Sequence, residues 1–348
     1  KVYKLPPVTP QARGKALVNL LPLDAGETIT TMMPLPEDEG AWSGLFVMFA
    51  TASGNVRRNS LSDFTNVMVN GKIAMKLNQG DKLVRVRTCM ENEDVLLSAK
   101  GGKVIRFPVT DVRVFSSRSS TGVRGIKLKG DDEVIAMSVV RHVKVETDER
   151  DLYLQAVGAA RRLKGGDYTD RDEDKARDLE LAARLEQRDF QAMAEAEEFI
   201  LTITEDGMGK RTSAYEYRIA GRGGQGATGI ELSRGKKELP STIVAAFTVV
   251  DSDQLVMVSD AGQIIRCPID QISIIGRSGR GVTIFKVADR ERLVSVSRFR
   301  DLDDEGEDEM QGSLDGNDIV DGRAENDGLP VDEVAETVMT NVDGDAER

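Results

Sequence analysis

The chain has 348 residues, room for two or three average domains or one large repeat array. Its two cysteines, Cys89 and Cys267, lie far apart and in no CxxC pair, and its one histidine is His142, so a disulfide scaffold, a cysteine-rich zinc fold, a Ser-His-Asp triad and an HExxH site are excluded. No apolar run approaches ~20 residues, no signal peptide opens the chain, and a formal net charge of −12 speaks on its face against a nucleic-acid partner.

In chain order, the opening KVYKLP reads as the second half of a β-hairpin, so the chain is expected to start inside a repeat. Four segments then read alike: LFVMFATASGNVRRNSLSDF (45–64), DVLLSAKGGKVIRFPVTDV (94–112), FILTITEDGMGKRTSAYEY (199–217) and DQLVMVSDAGQIIRCPIDQI (253–272). Each is a short apolar run, a polar turn ending in Gly54, Gly102, Gly207 or Gly262, and a second short run, the pattern of a hairpin. Four residues after each glycine stands an arginine: Arg58, Arg106, Arg211 or Arg266. A second motif, glycine followed by an alternating strand, recurs from Gly14, Gly71, Gly122, Gly226 and Gly279, at spacings of 57, 51, 104 and 53 residues. A further strand closes each unit, for example GDKLVRVRTC (80–89) and ERLVSVSRF (291–299). About four strands per roughly 50 residues is the signature of a propeller-like array. The WD and kelch hallmarks are absent.

Residues 143–198 differ in kind and account for the double spacing. They are rich in Ala, Leu, Glu and Arg, with no Pro or Gly between 167 and 206, and predict a helical excursion between two strands. Its charges mark either a solvated face or a helix that docks a partner. From Asp301 the chain has few large apolar residues and many acids, and is expected to be disordered. Such a tail either solubilises the protein or occupies its basic surface until DNA displaces it. The organisation expected is β-repeats over 1–142 with the first one partial, a helical insertion at 143–198, the remaining β-repeats over 199–300, and an acidic tail at 301–348.

The net charge is therefore an average over unlike parts. Residues 301–348 hold 18 acids against Arg323 and Arg348, a net −16, and residues 141–198 hold 16 acids and 11 bases. The remainder, 1–140 plus 199–300, holds 34 bases and 25 acids, a net +9. A basic body with an acidic appendage points to a polyanion partner.

The available chemistry is electrostatic. In a circular array, equivalent positions share one height, so recurring cations predict a positive belt. The candidates are Arg57, Arg58, Arg106, Arg211 and Arg266 on the hairpins, and Arg13, Lys15, Lys72, Arg118, Arg124, Arg222, Arg277 and Arg280 around the glycine motifs. Such a belt suits a bent duplex, where phosphate contacts give affinity without sequence information. Gly223, Gly224 and Gly226 would let backbone N–H groups approach phosphates. GRGGQG (221–226) has no Walker-type GK[ST] after it, so nucleotide binding is not expected. Asp251 and Asp253 read as turn formers, and His142 as exposed and inert. Nothing reads as an active site.

YKLPPVTPQARGKALVNLLPLDAGETI, MFATASGNVRRNSLSDF, GKIAMKL, GKVIRFPVTDVR, TGVRGIKL and SDAGQIIRCPIDQISIIGRSGRGVTI, in that order, resemble the C-terminal domain of DNA gyrase A over about 1–140 and 199–300. The resemblance implies an all-β fold, a six-bladed β-pinwheel whose blades exchange strands, here with four full blades plus part of another. It implies DNA wrapping around a basic rim in support of ATP-dependent negative supercoiling. It also implies double-stranded DNA and gyrase B as partners, in an A2B2 assembly formed through the N-terminal part of gyrase A, in the cytoplasm and away from membranes. No cofactor is expected in this chain, since ATP and magnesium serve other parts of that enzyme, and no catalytic residue carries over because the catalytic tyrosine lies in the N-terminal half. Two departures stand out. The family's QRRGGKG box is missing, and AGRGGQG (220–226) is its nearest echo; the helical insertion is not part of the common pattern. The alternatives are the equivalent domain of topoisomerase IV, or a propeller scaffold for proteins that is indifferent to DNA.

Overall fold

The computed structural model describes residues 1–5, 14, 16–23, 27–116, 120–165, 172–187, 190–232, 241–288, 290–300 and 336–339. The hairpin glycines reverse the chain at positive φ: +83° at Gly54, +84° at Gly102, +75° at Gly207 and +81° at Gly262. At Gly207 a Cβ would stand 1.8 Å from the Phe285 carbonyl oxygen, so only glycine closes that turn. The first half holds β1 (Phe46–Thr51), β2 (Asn55–Ser60), β3 (Leu83–Cys89), β4 (Glu93–Ala99), β5 (Lys103–Pro108), β6 (Val123–Arg124) and β7 (Val134–Arg141). After the helices come β8 (Phe199–Thr204), β9 (Met208–Ser213), β10 (Ala227–Thr228), β11 (Ile243–Val249), β12 (Asp253–Ser259), β13 (Ile264–Pro268), β14 (Val282–Thr283), β15 (Leu293–Arg300) and β16 (Glu336–Met339).

These strands form four antiparallel sheets of four: β3-β1-β2-β6, β7-β4-β5-β10, β11-β8-β9-β14 and β16-β15-β12-β13. Three strands of each sheet come from one repeat, the hairpin and the closing strand beside it. In the first three sheets the fourth strand comes from the next repeat. β6 crosses to β2 with Val123 opposite Val56, β10 to β5 with Ala227 opposite Val104, and β14 to β9 with Val282 opposite Gly209. The first residue after a motif glycine thus always meets the second residue after a hairpin glycine. Lys72, after Gly71, pairs with Val2 in the same sense. In the last repeat this register identifies Gly281, at φ +93°, as the motif glycine rather than Gly279.

Neighbouring sheets pack face to face, which places the core between blades. Met48, Val56, Cys89, Leu97, Phe107 and Ile126 fill the layer between the first two sheets, and Leu201, Phe247, Leu255, Met257, Phe285 and Val296 the layer between the last two. Trp42, Phe49, Leu61, Phe64 and Val86 cover the outer face of the first sheet. Closing strands β3, β7, β11 and β15 stand side by side at the centre, and the donated strands lie at the outer edge. β13 has no donated strand among the described residues, and Ile264, at its acceptor position, is 66 % exposed.

Between β7 and β8 run α1 (Thr147–Gly165), α2 (Asp172–Gln187) and α3 (Gln191–Glu195). Asp148 and Glu149 in the first turn of α1, with Arg162 and Lys164 in its last, oppose the helix dipole in the favourable sense. The insertion is anchored by Tyr153, whose ring packs edge-on against Phe190 at 5.5 Å and Tyr215 at 5.6 Å. Arg162 grips buried Asp178 through two 2.7 Å hydrogen bonds and so ties α1 to α2. Of the acidic tail only Glu336–Met339 falls among the described residues, as β16 on β15. The expectation of disorder for the rest lies outside them. Among the described residues no helix is long and apolar enough to cross a membrane.

Candidate nucleic-acid interface

The hairpin arginines are not on the surface in the first three repeats. Arg58, Arg106 and Arg211 are 4, 3 and 6 % exposed, and Arg57 is fully buried. The reason is that both faces of the first three sheets are covered, by neighbouring blades and, on the outer face of the first sheet, by the Trp42–Phe64 cluster, so even the polar residues of β2 and β9 lie inside. Arg106 donates from Nε to Asp94 at 2.8 Å, from Nη1 to the Ala214 carbonyl at 2.7 Å and from Nη2 to the Arg141 carbonyl at 2.8 Å. Arg211 donates to the carbonyls of Ile272 and Asp270 and pairs with Asp251. Arg58 lies 4.7 Å over the Phe46 ring and 3.3 Å from Glu91. Their backbones bridge to the following repeat at Val114, Ile219 and Ile274. Next to them, Arg57 donates to the Ser120 carbonyl, and its counterpart Lys210 to those of Gly276 and Arg277. Burial pushes the Lys210 ammonium down to about 8.

These contacts correct the expectation that Arg57, Arg58, Arg106 and Arg211 belong to an outer belt. They recur because each repeat must be stapled to the next. Arg266 shows the converse. Among the described residues no following repeat covers β13, and Arg266 is exposed, lying 5.0 Å over the Phe299 ring.

The outer edge is built from the glycine motifs. Arg124 is exposed, and Lys72, Arg222, Arg277 and Arg280 are half-buried. Arg222 donates to the carbonyls of Asp111 and Arg124, and Arg277 to that of Thr228, so each lies across the strand that the preceding repeat donates. Gly223 donates to the Gly125 carbonyl at 2.7 Å and Lys127 to that of Gly224 at 2.8 Å, which joins the motif loops of two repeats edge to edge. GRGGQG is thus a joint between repeats, with Arg222 at its outer side. Arg13, Lys15 and Arg118 lie outside the described residues.

Composition sharpens this picture. The outer segments 113–130, 218–230 and 273–286 together carry ten Lys or Arg and no Asp or Glu, in a chain of net charge −12. Lys127, Lys129, Arg113 and Lys286 are exposed members that a search for recurring positions passes over. The missing acids are the signal that could have found them. Arginine keeps five N–H donors in a planar fork, so Arg222 and Arg277 have donors beyond those that hold the neighbouring strand.

Elsewhere the titratable groups are structural. His142 is not inert, since its Nδ1 lies 2.8 Å from Asp94, which Arg106 also holds. Asp253 accepts from the Val250 N–H at 2.9 Å, as a turn former does, and also pairs with Arg298 at 3.3 Å. Burial raises Glu93 and Glu198 above the usual carboxylate range. No group of three or more His, Cys, Asp and Glu that could hold a metal occurs among the described residues.

Residues 46–90, 93–141, 198–237 and 253–300 match the family model of the DNA gyrase C-terminal domain, a beta-propeller. The chain belongs to this family. The four matched stretches are the four repeats, and they leave out most of the helical insertion. DNA gyrase A of Granulibacter bethesdensis is 46 % identical over 319 residues, covering 88 % of this chain and 34 % of that protein. DNA gyrase A of Rickettsia bellii is 43 % identical over 314 residues, covering 89 % and 33 %. The chain therefore spans about a third of the length of these curated relatives. A solved DNA gyrase A C-terminal domain has a TM-score of 0.57 at 22 % identity, covering 83 % of this chain and 76 % of that one. The C-terminal domain of DNA topoisomerase IV has a TM-score of 0.59 at 17 % identity, covering 82 % and 71 %. Both likenesses are of fold.

Proposed function

We propose that the outer edge of the ring binds duplex DNA without sequence preference and bends it around the blades. This is the wrapping role of a DNA gyrase A C-terminal domain. The observation that carries this reading is the acid-free outer edge. Its three segments carry ten bases, and two of them are joined through the Gly223, Lys127 and Arg222 hydrogen bonds. Bending a duplex by 40–90° costs on the order of 1–6 kcal/mol, and phosphate contacts made at successive repeats offset it. The contacts expected are with Arg124, Arg222, Arg266, Arg277 and Arg280, with Lys72 at the first repeat, and with Arg13, Lys15 and Arg118.

The chain's place is then in an ATP-dependent type II topoisomerase of the cytoplasm, with gyrase B as partner in an A2B2 assembly. ATP and magnesium serve other parts of that enzyme. The curated relatives favour gyrase over topoisomerase IV. Ligation of a nicked circle with the chain bound tests wrapping directly. A shift in linking number that grows with protein is expected, and relaxed product at saturating protein would overturn the reading. Supercoiling by the assembled enzyme separates gyrase from topoisomerase IV.

A further inference from the structure

The outer edge holds apolar side chains as well as bases. Val114 and Ile219 are each 43 % exposed, and Ile274, at the same place in the next repeat, is half-buried. All three occupy one position. Each bridges in parallel to the hairpin arginine of the preceding repeat, at Arg58, Arg106 and Arg211. The bridge is made by backbone: the Phe115 N–H donates to the Arg58 carbonyl and the Ala220 N–H to the Arg106 carbonyl, both at 2.8 Å. An extended backbone favours a β-branched residue, which accounts for Val and Ile but equally for Thr. It does not account for an aliphatic side chain left in water at two successive repeats.

A single exposed aliphatic residue is ordinary. The surroundings of these two are not. Val114 follows Arg113, which is exposed and lies 4.3 Å over the Phe115 ring. Ile219 follows Arg218, whose side chain is 72 % exposed and which Asp151 of α1 approaches only to 4.0 Å. The segments that carry them, 113–130 and 218–230, contain no Asp or Glu. A cation with an aliphatic neighbour is complementary to a nucleotide of a duplex, whose phosphate is charged and whose deoxyribose presents C–H groups along the minor groove. Proteins that bend DNA from its minor-groove side place apolar side chains there beside their cations.

We infer that Val114 and Ile219 pack against deoxyribose in the minor groove where a duplex crosses the outer edge, while Arg113 and Arg218 meet the adjacent phosphates. The apolar contacts add affinity that salt does not screen. They recur from one repeat to the next and so fix which groove faces the ring. The inference rests on the DNA-binding reading and adds residues that carry no charge.

Duplex binding by the full chain over a range of salt concentrations tests it. Val114→Thr combined with Ile219→Thr keeps β-branching and every cation. The slope of log affinity against log salt should stay as it is, and the whole line should drop by about fivefold in affinity. Val114→Leu combined with Ile219→Leu keeps the apolar surface and should bind as the unaltered chain does. Thermal denaturation should be the same for all three, since both side chains are exposed. Superimposed lines for the Thr variant and the unaltered chain would overturn the inference and leave the DNA-binding reading standing. A loss in the Leu variant equal to that in the Thr variant, or a Thr variant that unfolds, would overturn it as well, by giving these residues a structural role. Absence of duplex binding by the unaltered chain would remove the DNA-binding reading and this inference with it.

Discussion

Arg106 in β5 donates to the Ala214 carbonyl at 2.7 Å across 108 residues of sequence, which binds one repeat to the next through a single buried guanidinium. The same group holds Asp94, which is fully buried and whose other oxygen faces His142. Arg106→Met would leave the Asp94 carboxylate buried with only a histidine beside it. Breaking a buried pair in this way costs about 3–5 kcal/mol. Urea denaturation should show that loss, and Asp94→Asn added to Arg106→Met should recover part of it. A loss below ~1 kcal/mol, the size of an exposed pair, would show that Arg106 is no staple.

Strand donation makes a second prediction. At Gly122, which opens the donated strand β6, a Cβ would lie 2.3 Å from the Val56 carbonyl oxygen, and φ is +84°. Gly80 has φ +78° with open space around it. Gly80→Ala should cost only the backbone term, on the order of 1 kcal/mol. Gly122→Ala should cost at least twice that, because β6 must also move off β2. Equal losses in thermal denaturation would mean that the close approach of β6 contributes nothing.

The repeat, its hairpins and the helical insertion are legible in the sequence because glycine punctuation and apolar runs are local signals. Strand exchange is not. Nothing in GVRGIKL says whether the strand joins its own sheet or the preceding one, and only the pairing of Val123 with Val56 decides it. The hairpin arginines mislead for a related reason. Recurrence at equivalent positions is demanded by a staple between repeats as much as by a rim, and Arg58, Arg106 and Arg211 satisfy the first demand. Arg222 and Arg277 satisfy both. The β2 sequence NVRRNS looks solvent-facing, yet its four inner residues are buried, between the second sheet on one face and the Trp42–Phe64 cluster on the other.

Lys210 offers a test by pH. Burial lowers its ammonium from the ordinary lysine value of 10.5 to about 8. Between these two values the unfolded chain keeps the proton that the folded chain has lost, so stability should rise with pH over that window. Below about 8 both states are protonated and the burial cost is present in full. Buried Tyr215 and Tyr217 are pushed up to about 12 and act in the opposite sense above pH 10, so the comparison must be with a variant. Relative to Lys210→Met, the unaltered chain should gain stability from pH 8 to 10.5 in urea titrations. Parallel curves would show that Lys210 keeps an ordinary ammonium.

The outer edge is tested by salt. Each phosphate that a cation neutralises adds about 0.9 to the slope of log affinity against log salt. Arg124→Ala, Lys127→Ala and Arg280→Ala together remove three cations from the acid-free segments without touching a buried staple. The slope should fall by about 2–3, and affinity at low salt should drop at least tenfold, with little change in thermal stability. Arg106→Met, studied at a temperature where it remains folded, should leave the slope unchanged, because its guanidinium never meets solvent. If instead Arg106→Met lowers the slope and the triple variant does not, the DNA path follows the hairpins, and the outer edge serves only to join one repeat to the next.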